Sequence, residues 1–156
     1  MQVDEVARDE SPKVQPDARP PLLVLAEDDD DLRSALGDLL AVDGFEVASV
    51  RDGTRLVDLM ARCAEGRRMP EVIVTDHRMP GISGIEVLER LRRRGIKVPV
   101  IVITAFGEEV GDIARALGAN AVFEKPFDPD DLRTAVLCSV HWKIRRKATQ
   151  RTGWNR

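Results

Sequence analysis

Short apolar runs alternate with amphipathic segments from Pro21 onward, and the alternation predicts a fold class. The runs are Leu22–Ala26, Glu46–Val50, Val72–Thr75, Val98–Thr104 and Ala121–Glu124. At four to seven residues and rich in Val, Ile and Leu, they read as strands buried on both faces. The segments between them repeat apolar residues at helical spacing, as in Leu32, Leu36, Leu39 and Leu40, or Leu56, Leu59, Met60 and Cys63. Gly44, Gly66, Gly95 and Gly118 each follow such a segment, where a left-handed residue would end a helix. Ser83 and Glu86 have capping-box spacing, and Asp128-Pro129 sets a capping carboxylate before a proline at the first helical position. Five strands alternating with five helices predict an α/β fold, doubly wound around a five-stranded parallel sheet.

The flanks differ from this body. Residues 1–20 hold Pro12, Pro16 and Pro20, many charges and no hydrophobic period, and read as a disordered leader. The ordered domain is expected over 21–141. Residues 142–156 carry six bases and no acid and are expected to fray as a basic tail. A tail this short leaves no room for an output domain.

Charge and composition narrow the function. The chain is net −3, but the leader is −2 and the tail +6, so the body from 21 to 141 is −7. An acidic body argues against nucleic acid as a partner, and the basic tail is the only candidate for such contact. No apolar run approaches the roughly 18–20 residues that span a bilayer, and no export signal opens the chain, so the cytoplasm is the expected compartment. Cys63 and Cys138, far apart, suggest neither a disulfide framework nor a zinc site.

In a doubly wound sheet, ligands bind at the carboxyl ends of the strands. The first strand ends in Glu27-Asp28-Asp29-Asp30-Asp31, where a nucleotide-binding fold would place a glycine-rich loop. Five acids repel a bare phosphate and attract a hard cation, although Asp29 or Asp30 could equally cap the helix that follows. The third strand ends in Asp76, beside those acids, a crowding that is costly unless a cation joins it. The fourth ends in Thr104 and the fifth in Lys125: a hydroxyl and an ammonium, the donors suited to phosphoryl oxygens. The set describes phosphoryl transfer to a carboxylate, with Asp76 as nucleophile, Mg²⁺ (or Mn²⁺) neutralising charge, and Thr104 and Lys125 holding oxygens.

Leu22–Arg33, Val72–Glu86, Val100–Ala105 and Glu124–Leu132 resemble the corresponding stretches of bacterial two-component response-regulator receiver domains. The resemblance spans about residues 21–141. It implies the (βα)5 three-layer sandwich of flavodoxin-like and CheY-like proteins. It implies a metal site of Glu27, Asp28, Asp76 and the backbone carbonyl of Arg78, and a cis Lys125–Pro126 bond. It further implies a phosphoryl donor that is a histidine kinase or a histidine phosphotransfer protein, with Thr104 moving toward the phosphoryl group and Lys125 pairing with it. Such a protein works as a phosphoacceptor switch, not as an enzyme on other substrates. It signals through protein contacts or onward transfer, as a monomer or a phosphorylation-dependent dimer.

A haloacid-dehalogenase-like phosphatase also uses an aspartate and Mg²⁺, and Asp28-x-Asp30 superficially fits its opening motif. That motif expects threonine where Leu32 stands, and it leaves Asp76 without a role. One position departs from the receiver pattern. Many receivers carry Tyr or Phe three residues before the lysine, and here that position is Val122. Phe123 follows but should face the other side of the sheet. Phe106 could carry part of the signal instead, or could be loop packing alone. Together with Arg78 it flanks the expected water path to Asp76. His77 reads as a loop residue exposed at the rim, because an ionised aspartate needs no base. His141 falls at the end of the last helix, where partial positive charge is welcome.

Overall fold

The computed structural model describes residues 19–151. The strands are β1 (Leu22–Ala26), β2 (Glu46–Val50), β3 (Val72–Asp76), β4 (Val100–Thr104) and β5 (Ala121–Glu124). They alternate with helices α1 (Asp30–Val42), α2 (Gly53–Glu65), α3 (Gly84–Arg93), α4 (Gly107–Ala116) and α5 (Pro129–Arg151). All pairings are parallel, in the order β2-β1-β3-β4-β5. The doubly wound five-stranded sheet expected from the sequence is present.

Alternation along the strands builds two apolar layers. Val24, Ala26, Ile73, Val100 and Val102 pack with Leu56, Met60, Val87, Leu88, Leu91 and Ala114, which places α2, α3 and α4 on one face. Leu23, Leu25, Val72, Val74, Ile101 and Ile103 pack with Leu36, Leu40, Leu132 and Val136, which places α1 and α5 on the other. Val122 leans on the first cluster and Phe123 on the second, as the alternation requires.

Several boundaries and burials differ from expectation for local reasons. Only β1, β3 and β4 are buried throughout; β2 and β5 are half exposed because the strand order leaves them at the edges. β4 begins at Val100, two residues late, since Pro99 has no N–H for the ladder and offers only its carbonyl, to Ile73 N–H at 2.9 Å. β3 takes in Asp76, which pairs with Ile103.

Gly44, Gly95 and Gly118 adopt left-handed φ values of 92, 70 and 90°, but after α2 it is Arg67, not Gly66, that does so, with φ 55°. The Ser83/Glu86 capping box forms, and the Asp128 carboxylate accepts from Asp130 N–H at 2.9 Å.

The leader expected over 1–20 lies outside the described residues apart from Arg19 and Pro20. The last helix runs to Arg151, ten residues past the boundary drawn at His141. Residues 152–156 of the tail lie outside the description.

Candidate functional site: an acidic mouth at the strand ends

The strand order reverses at β1, so the chain departs in opposite directions from the carboxyl ends of β1 and β3 and leaves a crevice between them. Amides past the strand ends hold its rim. Glu27 N–H bonds the Val50 carbonyl at 3.1 Å, His77 N–H the Ile103 carbonyl at 2.7 Å, and Lys125 N–H the Thr104 carbonyl at 2.8 Å. Four strand ends therefore deliver Glu27, Asp76, Thr104 and Lys125 from a rigid frame.

Glu27, Thr104 and Asp76 are buried, Asp76 to 4% exposure, while Asp28 is exposed. One carboxylate oxygen from each of Glu27, Asp28 and Asp76 lies within 4.8 Å of the others. Lys125 Nζ sits 3.2 Å from Glu27 and 3.5 Å from Asp76. The Lys125–Pro126 bond is cis.

Among the five acids of the first loop the roles divide. Asp29 caps α1 by accepting from Leu32 N–H at 2.9 Å. Asp30 pairs with Arg33, whose guanidinium also donates to the Glu27 carbonyl at 3.0 Å.

The electrostatics follow from burial and crowding. Burial first, and then the Glu27 charge, push the Asp76 carboxyl up to about 7, although Lys125 opposes them. Glu27 is also raised, chiefly by burial. Burial works against the Lys125 charge, but the two carboxylates outweigh it and raise its pKa. The expectation that Asp76 is simply ionised at neutral pH is thus corrected: one ammonium does not balance this cluster, and full ionisation calls for another positive charge.

All-oxygen donors suit Mg²⁺ or Mn²⁺. The backbone adds a fourth candidate. The Asp76 carbonyl accepts from Thr75 Oγ1 at 3.0 Å and the His77 carbonyl from Gly84 N–H at 2.9 Å. The Arg78 carbonyl accepts no hydrogen bond among the described residues. The donor set fits the cation.

Three features escaped the sequence. Gly84 is required by close packing: a Cβ there would lie 2.2 Å from the Asp76 carbonyl oxygen. Its place directly after a capping serine, where a better helix former could stand, was the available signal. Arg33 anchors Glu27 from one turn into α1. His77 is part-buried, not exposed; its Nδ1 has no partner, and burial lowers its pKa. Arg78 and Phe106, expected near the water path, touch each other: the guanidinium lies 4.3 Å from the ring centroid, a contact worth about 0.5–1 kcal/mol at an exposed site.

The profile of the response regulator receiver domain matches residues 23–137. The chain belongs to that family. It is a phosphorylated response-regulator receiver of two-component signalling, and the family works with histidine kinases or phosphotransfer proteins.

The receiver is 29% identical to the sporulation initiation phosphotransferase F of Bacillus subtilis, over 73% of this chain and 89% of that protein. It is 37% identical to the transcriptional regulatory protein FixJ of Azorhizobium caulinodans over 80% of this chain, but spans only 55% of that relative. Among solved structures, the receiver domain of a Francisella response regulator superposes with TM-score 0.72 at 26% identity, covering 79% of this chain and 98% of that one. Among the described residues no helix is long and apolar enough to cross a membrane.

Proposed function

We propose that Asp76 is the phosphoryl acceptor, taking the group from a phosphohistidine of a histidine kinase or histidine phosphotransfer protein. The observation that supports this most is a buried aspartate at a strand mouth, crowded by two acids and faced by one ammonium. An Asp76 carboxylate oxygen bonds to phosphorus as the phosphorus–nitrogen bond breaks, and the electron pair leaves with the imidazole. Thr104 donates its hydroxyl to one phosphoryl oxygen, and Lys125 turns from the carboxylates to another. Glu27, Asp28, Asp76 and the Arg78 carbonyl would hold Mg²⁺ or Mn²⁺. When bound, the ion offsets the charge of the acids and of the arriving oxygens. Positioning and electrostatics suffice, because this transition state needs little covalent help.

Water attacks the phosphorus of the aspartyl phosphate at the same site, the bond to the Asp76 oxygen breaks, and inorganic phosphate leaves with the carboxylate restored, so the receiver catalyses only its own loading and unloading. The receiver unit occupies 21–141 and acts in the cytoplasm, as a monomer or a phosphorylation-dependent dimer. Output runs through protein contacts or onward transfer. A relay loses its label to a histidine phosphotransfer domain, whereas an effector binds its target only when labelled.

Mg²⁺-dependent labelling by acetyl phosphate, read by intact mass, tests the acceptor. Labelling is expected for the wild type and not for Asp76→Asn; equal labelling of both would sink the assignment.

A further inference from the structure

The end of the body opposite the acidic mouth is rich in arginine. Arg62, Arg67 and Arg68 stand at the end of α2, and Arg90, Arg93 and Arg94 at the end of α3. Between the two helices lies a part-open hollow of about 70 Å³. Met60, Ala61 and Ala64 line it from α2 and Leu91 from α3, and Arg90 and Arg94 are also among its lining residues. Ala61, Ala64 and both arginines are exposed. Arg93 pairs with Glu89 at 2.8 Å, but among the described residues no ion pair joins Arg90 or Arg94 to a carboxylate. The surface is thus apolar at its floor and carries two uncompensated cations beside it.

Such a floor accepts a small aliphatic group flanked by acids. A cavity of about 150 Å³ holds benzene, so a hollow of about 70 Å³ takes one aliphatic side chain and no aromatic ring. The chain itself carries that chemistry. Residues 1–18 contain no aromatic residue, and Val3-Asp4-Glu5-Val6 sets two carboxylates between two valines. Within residues 1–10, Asp4, Glu5, Asp9 and Glu10 face a single base, Arg8. The point of entry also suits. The Pro20 carbonyl accepts from the Arg68 guanidinium at 3.0 Å, and Arg68 N–H bonds the Cys63 carbonyl at 3.0 Å, so the chain reaches β1 beside the last turn of α2. From Pro20 back to Val6 an extended chain spans up to roughly 45–50 Å. All 13 residues of α2 cover only about 20 Å.

We infer that the α2–α3 hollow is a docking site for the chain's own acidic N-terminal segment, with Val3 or Val6 seated on Met60 and Leu91 and the neighbouring carboxylates paired with Arg90 and Arg94. The seated valine gains by leaving water, and the carboxylates offset the two arginines. The tether holds the segment at an effective concentration in the mM range, so a weak contact keeps the hollow filled. The docking does not depend on the reading of Asp76 as acceptor, because it uses the other end of the sheet.

The test uses the full chain with carbon-13 in its methionine and valine methyl groups. Nuclear Overhauser cross-peaks are expected between the Met60 methyl and a methyl of Val3 or Val6. They should vanish in Val3→Asp/Val6→Asp, which leaves every residue of the body untouched. They should fall by half or more in about 1 M NaCl, where the Debye length is about 3 Å. Arg90→Glu/Arg94→Glu should weaken them to the same degree, and adding Asp4→Arg/Glu5→Arg to that variant should restore them. Wild type without such cross-peaks, and with a Met60 methyl shift equal to that of Val3→Asp/Val6→Asp, overturns the docking and leaves the hollow to a separate partner. Cross-peaks between labelled and unlabelled copies in a mixed sample overturn it in favour of a second copy. Cross-peaks indifferent to salt and to Arg90→Glu/Arg94→Glu overturn the pairing with the two arginines.

Discussion

Lys125 and Arg92 are part-buried cations at opposite ends of the same sheet, and they are satisfied in opposite ways. Arg92 donates to the carbonyls of Ile96 and Val98 at 2.8 and 3.0 Å and to that of Gly118 at 2.9 Å, joining the end of α3 to the starts of β4 and β5. Lys125 faces Glu27 and Asp76, with Asp28 beside them. One end of the sheet is closed by matched neutral acceptors. The other holds more negative charge than its ammonium balances. The first arrangement is complete as it stands; the second is balanced only when a carboxyl takes up a proton or a cation joins it.

Arg92→Met should have the largest effect on stability, because it strips the donor from three carbonyls. We expect a loss of roughly 3–5 kcal/mol in chemical denaturation. That loss should be the same at pH 5 and pH 8 and with or without Mg²⁺; a pH-dependent loss would erase the contrast between the two ends.

At the mouth the sign reverses. The Asp76 pKa is raised to about 7 in the fold, so its stabilising contribution is present at low pH and is lost as pH rises through 7. In the absence of divalent cations Asp76→Asn should therefore be more stable than wild type at pH 8, on the order of 2 kcal/mol after allowing for the lost Lys125 contact. The difference should shrink toward pH 4. A destabilised Asp76→Asn at pH 8 would show that Lys125 already balances the cluster.

Mg²⁺ at ten times its dissociation constant should stabilise the wild type by about 1.4 kcal/mol, seen as a higher denaturation midpoint. Arg92→Met should gain the same amount.

The smallest effect sharpens the role of Arg78. Arg78→Ala removes the stack on Phe106, worth about 0.5–1 kcal/mol, yet keeps the backbone carbonyl. Mg²⁺ affinity, measured by calorimetry, should stay within about twofold. A larger drop would move the contribution of Arg78 from its carbonyl to its side chain.

The contrast also explains what could be read in advance. β1, β2 and β5 were legible to the residue; Pro21 and Glu27 bound the first of these runs, and Asn120 and Lys125 the last. Asp76, Thr104 and Lys125 were legible because each ends a strand, and strand ends converge in a parallel sheet. Arg92 was not, because Ile96, Val98 and Gly118 meet only after α3, β4 and α4 are packed. The ionisation of Asp76 was also hidden, since burial and the neighbouring charge of Glu27 belong to the folded site and not to the sequence around residue 76. The one-residue displacement from Gly66 to Arg67 shows that glycine marks where a helix can stop more reliably than which residue turns left-handed.

Gly84 carries a last consequence. Its missing side chain lets α3 start against the Asp76 carbonyl, so any substituent displaces the backbone of the proposed acceptor. A saturation mutagenesis screen scored on phosphoryl uptake should therefore rank Gly84 among the least tolerant positions, level with residues that touch the phosphoryl group, although its whole contribution is vacant space.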